Sequence, residues 1–201
     1  PDDVNFAKDA YRDAQGRYLS DALCDEALAW IDRNKAKPFF LYYAEHSVHE
    51  PFDPKPELLA KYRKKTPAGL DQGITPEYAA TVEAVDASIG RILAKLESLG
   101  LTKDTLVIFT SDNGGLPYVV NPLRGSKGLL YEGGIRVPGA VSWPGTIPAG
   151  KSFDEPVASI DFLPTILEAA GIPLPKEQPT DGVSLLKQLK VGAPLNRPAI
   201  F

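Results

Sequence analysis

A long amphipathic pattern, followed at once by a short apolar run, is the feature that most limits what this chain can fold into. Thr75 and Pro76 open the pattern, as an N-cap residue and a proline at the first helical position do. Gly100 closes it, and the strand-like run "TLVIFTS" follows. A helix leading into a buried strand is typical of an α/β domain. The stripe predicted for one face of this helix consists of Tyr78, Val82, Val85, Ile89, Ile92, Leu96 and Leu99.

The chain before and after this helix alternates in the same way. We predict that Ser20 caps a helix through "DALCDEALAWIDRNK", that Phe39–Ala44 is a buried strand, and that "KPELLAKYRKK" is a short helix. Further on, "GAVSW" predicts a strand, and Asp161 is predicted to cap the helix "FLPTILEAA", which Gly171 closes. The face predicted for the first helix carries Leu23, Ala27, Trp30 and Ile31.

This order predicts an α/β fold with a largely parallel sheet covered by helices on both faces. The 201 residues, 43% of them hydrophobic and 24% charged, are ordinary globular values and suffice for one sizeable domain. A net charge of −4 argues against a nucleic-acid partner. No apolar run approaches the roughly 20 residues of a membrane span, so we expect no membrane partner, and we predict no signal peptide. The single cysteine, Cys24, permits no internal disulfide.

Asp112 and Asn113 stand where the run "TLVIF" ends, in "TSDNGG". A carboxylate and an amide carbonyl are hard oxygen ligands, suited to Ca²⁺ or Mg²⁺. The two glycines that follow let the backbone turn sharply. An Asx turn at a strand end is the alternative, and it is common. In α/β sheets ligands bind beyond the carboxyl ends of strands, which places this pair at an expected site.

His46 and His49 are the only histidines, and they follow the run predicted as a strand at residues 39–44. Two histidines could begin a zinc site, but the sequence has no second Cys/His group to complete it. A histidine here can bind an oxyanion or give a proton to a leaving group. Two partly exposed surface histidines are the alternative.

Lys127 lies between Gly125 and Gly128 in "PLRGSKGLLYEGGIRVP". Without bulky neighbours its ammonium group can enter a pocket and bind a sulfate or phosphate oxygen. The stretch does not match the P-loop pattern G-x-x-x-x-G-K-[ST]. A solvated loop lysine is the alternative.

Several motifs together resemble the type I sulfatases, which belong to the alkaline phosphatase superfamily. They are "KPFFLYYAEHSVHEPF", "LVIFTSDNGG", "PLRGSKGLLYEGGIRVP", "WPGTIPAG", "SIDFLPTILEAAGI" and "DGVSLL", and they occur in the family's order. The resemblance begins near Tyr18 and implies an alkaline-phosphatase-like fold of which this chain is part. It also implies a sulfuric ester hydrolase.

The resemblance assigns roles to four residues. It implies that Asp112 and Asn113 are metal ligands, with Ca²⁺ as the expected ion and Mg²⁺ possible. It further implies that Lys127 and His49 are catalytic and contact the substrate sulfate, His49 also assisting the leaving group. His46 falls at a position that varies in the family and is at most a pocket residue. Arg124 and Glu132 also lie in the motif "PLRGSKGLLYEGGIRVP", and we expect them to support this loop structurally.

The chain departs from the family pattern, since the early acidic metal ligands, the arginine beside the nucleophile, and an early lysine and histidine are missing from these residues. The nucleophile motif is missing as well. Sulfatases use a formylglycine made from the first residue of a C/S-x-P-x-R motif, and these residues contain no such motif. Cys24, in "ALCDEAL", lies in a helix pattern. We therefore expect residues 1–201 to be the second part of a sulfatase catalytic domain, inactive alone, with the nucleophile in an N-terminal segment. The tail from about residue 172 is expected to lead toward a smaller C-terminal region.

The resemblance suggests a small-molecule or carbohydrate sulfate ester as substrate and a periplasmic or secreted location. It leaves the oligomeric state open. Two alternatives remain: a phosphatase or phosphonate hydrolase of the same superfamily, and a non-catalytic remnant that binds anions.

Overall fold

Helices dominate the part of the chain that the structure describes. The structure is a computed structural model, and it describes residues 11–65, 73–177 and 179–197. Two strands, β1 (Val107–Thr110) and β2 (Gly139–Ser142), pair in a two-stranded sheet, and 3-10 helices lie at Thr102–Asp104 and Ser159–Asp161. The α-helices are α1 (Leu19–Asn34), α2 (Pro56–Arg63), α3 (Pro76–Ser98), α4 (Glu132–Ile135), α5 (Phe162–Ala169) and α6 (Leu186–Val191).

The chain divides into two compact units. The first comprises residues 1–101 and 110–138, and it contains α1 to α4. The second comprises residues 102–109 and 139–201, and it contains α5, α6 and all of the small sheet except Thr110. All four residues to which the sequence analysis assigned a role in metal or sulfate binding belong to the first unit.

The ends of α3 confirm the predicted helix signals. The Thr75 hydroxyl oxygen accepts a hydrogen bond from the Tyr78 amide at 3.1 Å, so Thr75 is the N-cap. At the other end Gly100 adopts a φ of 70°, a left-handed conformation that favours glycine. Its amide donates to the Glu97 carbonyl at 2.9 Å and ends the helix.

The buried face of α3 differs from the predicted apolar stripe. The fully buried side chains are small, namely Ala80, Thr81, Ala84 and Ser88, and α3 packs there against α1 and α2. Of the predicted stripe only Leu96 is buried, whereas Val82 is 41% exposed. Small side chains let helix axes approach closely, so the contacts between helices select this face.

Ser20 does not cap α1, contrary to the prediction. The helix begins at Leu19 with Tyr18 in the N-cap position, which places Ser20 inside the first turn and fully buried. Its carbonyl oxygen accepts a hydrogen bond from the Ser88 hydroxyl of α3 at 3.4 Å, and the Cys24 thiol donates to the Ser88 carbonyl at 3.4 Å. Ser20 therefore joins α1 to α3.

The predicted strand Phe39–Ala44 is not a strand in this structure. The segment is extended but pairs with neither β1 nor β2, and its exposed side chains alternate, with Phe40 67% and Tyr42 80% exposed. A strand needs a hydrogen-bonded neighbour, and the described residues offer this segment none. The α/β class holds in part, since helices and strands alternate, but the largely parallel sheet covered on both faces is absent from the described residues.

The second unit is organised by a buried ion pair. Asp161 stands at the N-cap of α5 but does not cap it, because its carboxylate accepts from the Ala158 and Val183 amides at 2.8 and 2.9 Å. Arg197 reaches both carboxylate oxygens, at 2.8 and 2.7 Å. Burial alone would raise the pKa of Asp161, but the hydrogen bonds from Arg197 and the two amides outweigh it and lower that pKa.

Gly171, as predicted, ends α5. It has a φ of 68°, and its amide donates to the Glu168 carbonyl. Across the described residues, no helix combines the length and the apolar character that crossing a membrane requires.

Replacing Arg197 by alanine is expected to destabilise the second unit by about 3–5 kcal/mol at neutral pH, since Asp161 would remain buried without its partner. The folded-state pKa of Asp161 lies below its ordinary value of 3.8, so the stabilisation is fully present above that pH. It is lost as the pH falls through the folded-state pKa. The difference between wild type and Arg197→Ala should therefore shrink below about pH 4, as measured by urea denaturation at several pH values.

Arg136→Ala is the matched control for this prediction. Arg136 pairs with Glu132 at 3.1 Å, but both side chains are more than 60% exposed. Exposed pairs contribute less than about 1 kcal/mol, so this variant should be near neutral at every pH. Equal losses for the two variants would contradict the buried-pair interpretation.

Candidate functional site

Backbone hydrogen bonds close the segment 111–134 into an interlocked loop. The Gly114 amide donates to the Gly134 carbonyl at 2.9 Å, and the Lys127 amide donates to the Gly115 carbonyl at 2.8 Å. A third bond runs from the Gly133 amide to the Arg124 carbonyl at 2.8 Å. The "SDNGG" and "RGSKG" motifs are therefore fastened to each other by main-chain atoms. We call this segment the glycine loop.

Three glycines make this closeness possible. A Cβ atom on Gly114 would lie 2.0 Å from the Gly133 carbonyl oxygen, and one on Gly133 would lie 2.2 Å from the Gly125 carbonyl oxygen. A Cβ on Gly134 would lie 1.9 Å from the Leu129 carbonyl oxygen. These clashes are with backbone atoms that cannot rotate away. The glycine loop therefore needs glycine at these positions for lack of space.

Asp112 and Asn113 lie side by side just after β1. The Asn113 amide nitrogen donates to Asp112 Oδ2. Ser111 Oγ lies 3.4 Å from Asp112 Oδ1 and 3.1 Å from the Asn113 carbonyl oxygen. Asp112 is exposed, whereas the adjoining Gly114 is buried. The pair thus presents a carboxylate and an amide at the surface of a rigid backbone.

Asp112 and Asn113 have the right ligand chemistry for a cation site but supply too few ligands. Their carboxylate and amide oxygens are the hard ligands that Ca²⁺ and Mg²⁺ prefer, but Ca²⁺ takes six to eight oxygens. No group of three or more His, Cys, Asp or Glu residues suited to a metal ion occurs in the ranges 11–65, 73–177 and 179–197. Asp112 and Asn113 can therefore hold one side of a cation, with the other ligands supplied from elsewhere.

Lys127 projects from the glycine loop with an exposed side chain. Gly125 and Gly128 on either side have φ values of 78° and 86°, which turn the backbone sharply around the lysine. Its amide is fixed to Gly115, three residues from Asp112. The structure therefore brings Lys127 onto the same loop framework as Asp112 and Asn113.

Arg124 contacts Tyr131 within the glycine loop, whereas Glu132 pairs with a residue just beyond it. The Arg124 guanidinium lies 3.9 Å from the centroid of the Tyr131 ring and donates to the Tyr131 hydroxyl at 2.9 Å. Glu132 begins α4 and pairs with Arg136 one turn later. The Arg124 contact lies within the glycine loop, and the supporting role of both residues stays a prediction.

His49 lies on a second loop of the same unit, in the segment 45–51. Its Nδ1 is 2.6 Å from the Glu50 carbonyl oxygen. Since a carbonyl can only accept, Nδ1 carries the proton and Nε2 is the atom left for a ligand. The backbone carbonyl of His49 accepts a hydrogen bond from the Tyr11 hydroxyl. His46 stacks edge-on against the Tyr11 ring, with centroids 5.3 Å apart.

Glu45 and Tyr11, which the sequence did not predict, make hydrogen bonds that hold the segment 45–51 in place. Glu45 accepts hydrogen bonds from the Ser20 hydroxyl at 3.0 Å, the Ser47 amide at 3.1 Å and the Tyr43 hydroxyl at 3.0 Å. Burial, and then the Glu45 charge, raise the pKa of Tyr43. An acid directly after an apolar run was a usable signal for Glu45. No local signal pointed to Tyr11, because the His49 carbonyl that it contacts is 38 residues away.

Comparison with known proteins gives a consistent result. Residues 2–172 match the Sulfatase family model. The chain is 43% identical over 190 residues to a sulfatase of Formosa agariphila, and the match covers 87% of this chain and 34% of that protein. It is 37% identical over 184 residues to human steryl-sulfatase, covering 86% of this chain and 30% of the human protein.

A solved structure also resembles the chain. The crystal structure of Ps i-CgsB in complex with k-i-k-neocarrahexaose superimposes with a TM-score of 0.76 at 36% identity. The match covers 86% of this chain and 38% of that one. The chain spans about a third of the length of the two sequence relatives described above.

Gly114→Ala is expected to destabilise the first unit by several kcal/mol, about 3 or more, because the new methyl group would displace backbone at Gly133. Gly90→Ala is the matched control, since Gly90 lies within α3 with open space around its Cα. That change should stabilise by up to about 1 kcal/mol through helix propensity. Thermal unfolding of both variants measures the contrast, and a neutral Gly114→Ala would contradict the interlock.

Proposed function

The chain belongs to the sulfatase family, and from that premise we propose that the protein carrying it hydrolyses a sulfate ester. The observation that supports this most is the family match over residues 2–172, which includes every predicted site residue. The glycine loop adds a physical reason. It fastens a lysine to the strand end that bears two hard-oxygen ligands, and a small oxyanion suits such a combination.

We propose that Lys127 binds an oxygen of the substrate sulfate. An ammonium group is a compact point charge, and here it is carried by a backbone that two left-handed glycines and one hydrogen bond hold in place. A lysine whose backbone is already fixed loses less freedom when the anion binds than one on a slack loop. Its attraction increases as negative charge develops on the sulfate oxygens in the transition state.

His49 is proposed to contact the sulfate and to protonate the leaving oxygen. Its Nδ1–H donates to the Glu50 carbonyl, which fixes the ring and leaves Nε2 to face the ligand. In the doubly protonated ring, the Nε2 proton passes to the ester oxygen as the bond between sulfur and that oxygen breaks. The alcohol then leaves neutral, which general-acid catalysis accelerates by about 10²–10⁴-fold.

Asp112 and Asn113 are proposed to supply two oxygen ligands to Ca²⁺, with Mg²⁺ as the alternative ion. When bound, the cation would offset negative charge on the sulfate. For the amide oxygen to face the ion, the Asn113 side chain must give up the hydrogen bond that its nitrogen donates to Asp112. The nucleophile is proposed to be a formylglycine from a C/S-x-P-x-R motif outside these 201 residues.

A sulfated carbohydrate is the proposed class of substrate. Support comes from the similarity to Ps i-CgsB, whose crystal structure contains k-i-k-neocarrahexaose. The similarity to human steryl-sulfatase makes a sterol sulfate the comparison compound. The superfamily alternative, a phosphate ester, is distinguished by assaying the sulfate and phosphate esters of one alcohol.

In the full-length protein, Lys127→Ala is expected to lower kcat/KM on an aryl sulfate by about 10²–10³-fold, the effect of losing one preorganised charge at a transition state. Lys37→Ala removes another exposed loop lysine and should leave kcat/KM unchanged.

Chelation should abolish turnover, and added Ca²⁺ should restore it. Hydrolysis of the phosphate ester in preference to the sulfate would replace this proposal with the phosphatase alternative.

A polypeptide limited to residues 1–201 is expected to show no turnover of an aryl sulfate, with or without Ca²⁺. It contains no C/S-x-P-x-R motif, and the two proposed oxygen ligands fall short of the six to eight that Ca²⁺ takes. A colorimetric assay at high protein concentration measures this. Robust metal-dependent hydrolysis would overturn the assignment of the nucleophile to another segment.

A further inference from the structure

A chain of three aromatic rings connects the two loops that carry the proposed site. The Phe52 and Tyr78 rings meet edge-to-face, with centroids 5.6 Å apart at 74°. Tyr78 meets Tyr118 in the same way, at 6.2 Å and 85°. Phe52 follows His49 by three residues, and Tyr118 follows Asn113 by five. We call Phe52, Tyr78 and Tyr118 the aromatic bridge.

The middle ring stands on a helix that is capped and packed against two others. Tyr78 lies in the first turn of α3, and its amide is the one that bonds to the N-cap Thr75. The buried face of α3 packs on α1 and α2. Tyr78 therefore offers both loops a fixed point that belongs to neither of them.

The outer end of the bridge is also held in place. Gly73 has a φ of 88°, and a Cβ there would lie only 2.8 Å from Cβ of Tyr118, so the backbone passes directly over the tyrosine. Tyr118 is half-buried, and burial followed by the nearby Glu50 carboxylate raises the pKa of its phenol. Glu50 adjoins His49. Tyr118 thus contacts Tyr78 through its ring and approaches Glu50, beside His49, through its hydroxyl.

We propose that Tyr78 is a positioning residue that sets the distance between His49 and the Lys127-bearing glycine loop. The inference rests on the proposed function, because only a shared sulfate gives that distance a consequence. Two groups that act on one small anion must be held to a fraction of an ångström, and a misplacement of 1 Å can cost about 10²-fold in rate. The ring of Tyr78 matters for this, whereas its hydroxyl does not.

The kinetic test compares Tyr78→Leu with Tyr78→Phe in the full-length protein. Tyr78→Leu should lower kcat on an aryl sulfate by about 10- to 100-fold, and Tyr78→Phe, which keeps the ring, should retain most of it. The decisive measurement is the factor by which His49→Ala lowers kcat/KM in each background. That factor should fall about tenfold in the Tyr78→Leu background and stay unchanged with Tyr78→Phe. An unchanged factor with Tyr78→Leu would overturn the proposal, since a smaller active fraction alone leaves it constant.

A second measurement does not depend on activity. Hydrogen–deuterium exchange should accelerate in Tyr78→Leu within both segments 46–53 and 112–120, and in neither with Tyr78→Phe. The helix α1 is the internal control and should exchange as in wild type. Acceleration in only one loop, or in neither, would overturn the bridge. If α1 also accelerates, the variant is generally destabilised and Phe52→Leu takes its place, with the same two outcomes.

The two measurements separate this inference from the proposed function. A wild-type protein without activity on any sulfate ester would refute the function, and the exchange data would still decide whether Tyr78 couples the loops. An active wild type in which His49→Ala has the same effect in all backgrounds would refute the inference and leave the function intact.

Discussion

The site depends on backbone atoms that approach one another more closely than any side chain would allow. Two hydrogen bonds, from Gly114 to Gly134 and from Lys127 to Gly115, fasten a strand end to a loop that returns a dozen residues later. A Cβ at Gly114, Gly133 or Gly134 would clash with the backbone of this loop. The backbone of Lys127 is held by this contact to Gly115, three residues from Asp112 and two from Asn113.

Local sequence signals predicted local structure well, and the limits of that prediction have a physical cause. Thr75, Gly100 and Gly171 act within one turn of their own position, so both ends of α3 and the C-terminal end of α5 follow from neighbouring residues. Burial is decided by partners far along the chain. The Ala80–Ser88 face of α3 is buried and the larger stripe is not, because α1 and α2 pack against the smaller side chains. The segment 39–44 similarly has strand composition but no strand beside it.

The same division applies to the site. The types of Asp112, Asn113, Lys127 and His49 indicated their chemistry, and the motif resemblance that the family match confirms supplied their roles as predictions. Composition could not indicate what holds them. Tyr11 is 38 residues from the carbonyl it supports, and the aromatic bridge joins three positions that span residues 52 to 118. Contacts of this kind appear only when the chain is folded.

A framework made of main-chain atoms leaves its side chains unencumbered. Leu129 and Leu130 of the glycine loop have exposed side chains, and that of Leu130 is 92% exposed. The hydrogen bonds that close the loop join backbone atoms and do not involve these side chains. Substitutions at these two leucines can therefore change the surface of the loop while the glycines keep its backbone geometry. A loop closed in this way can change the surface it presents by single substitutions while the hydrogen bonds that close it persist.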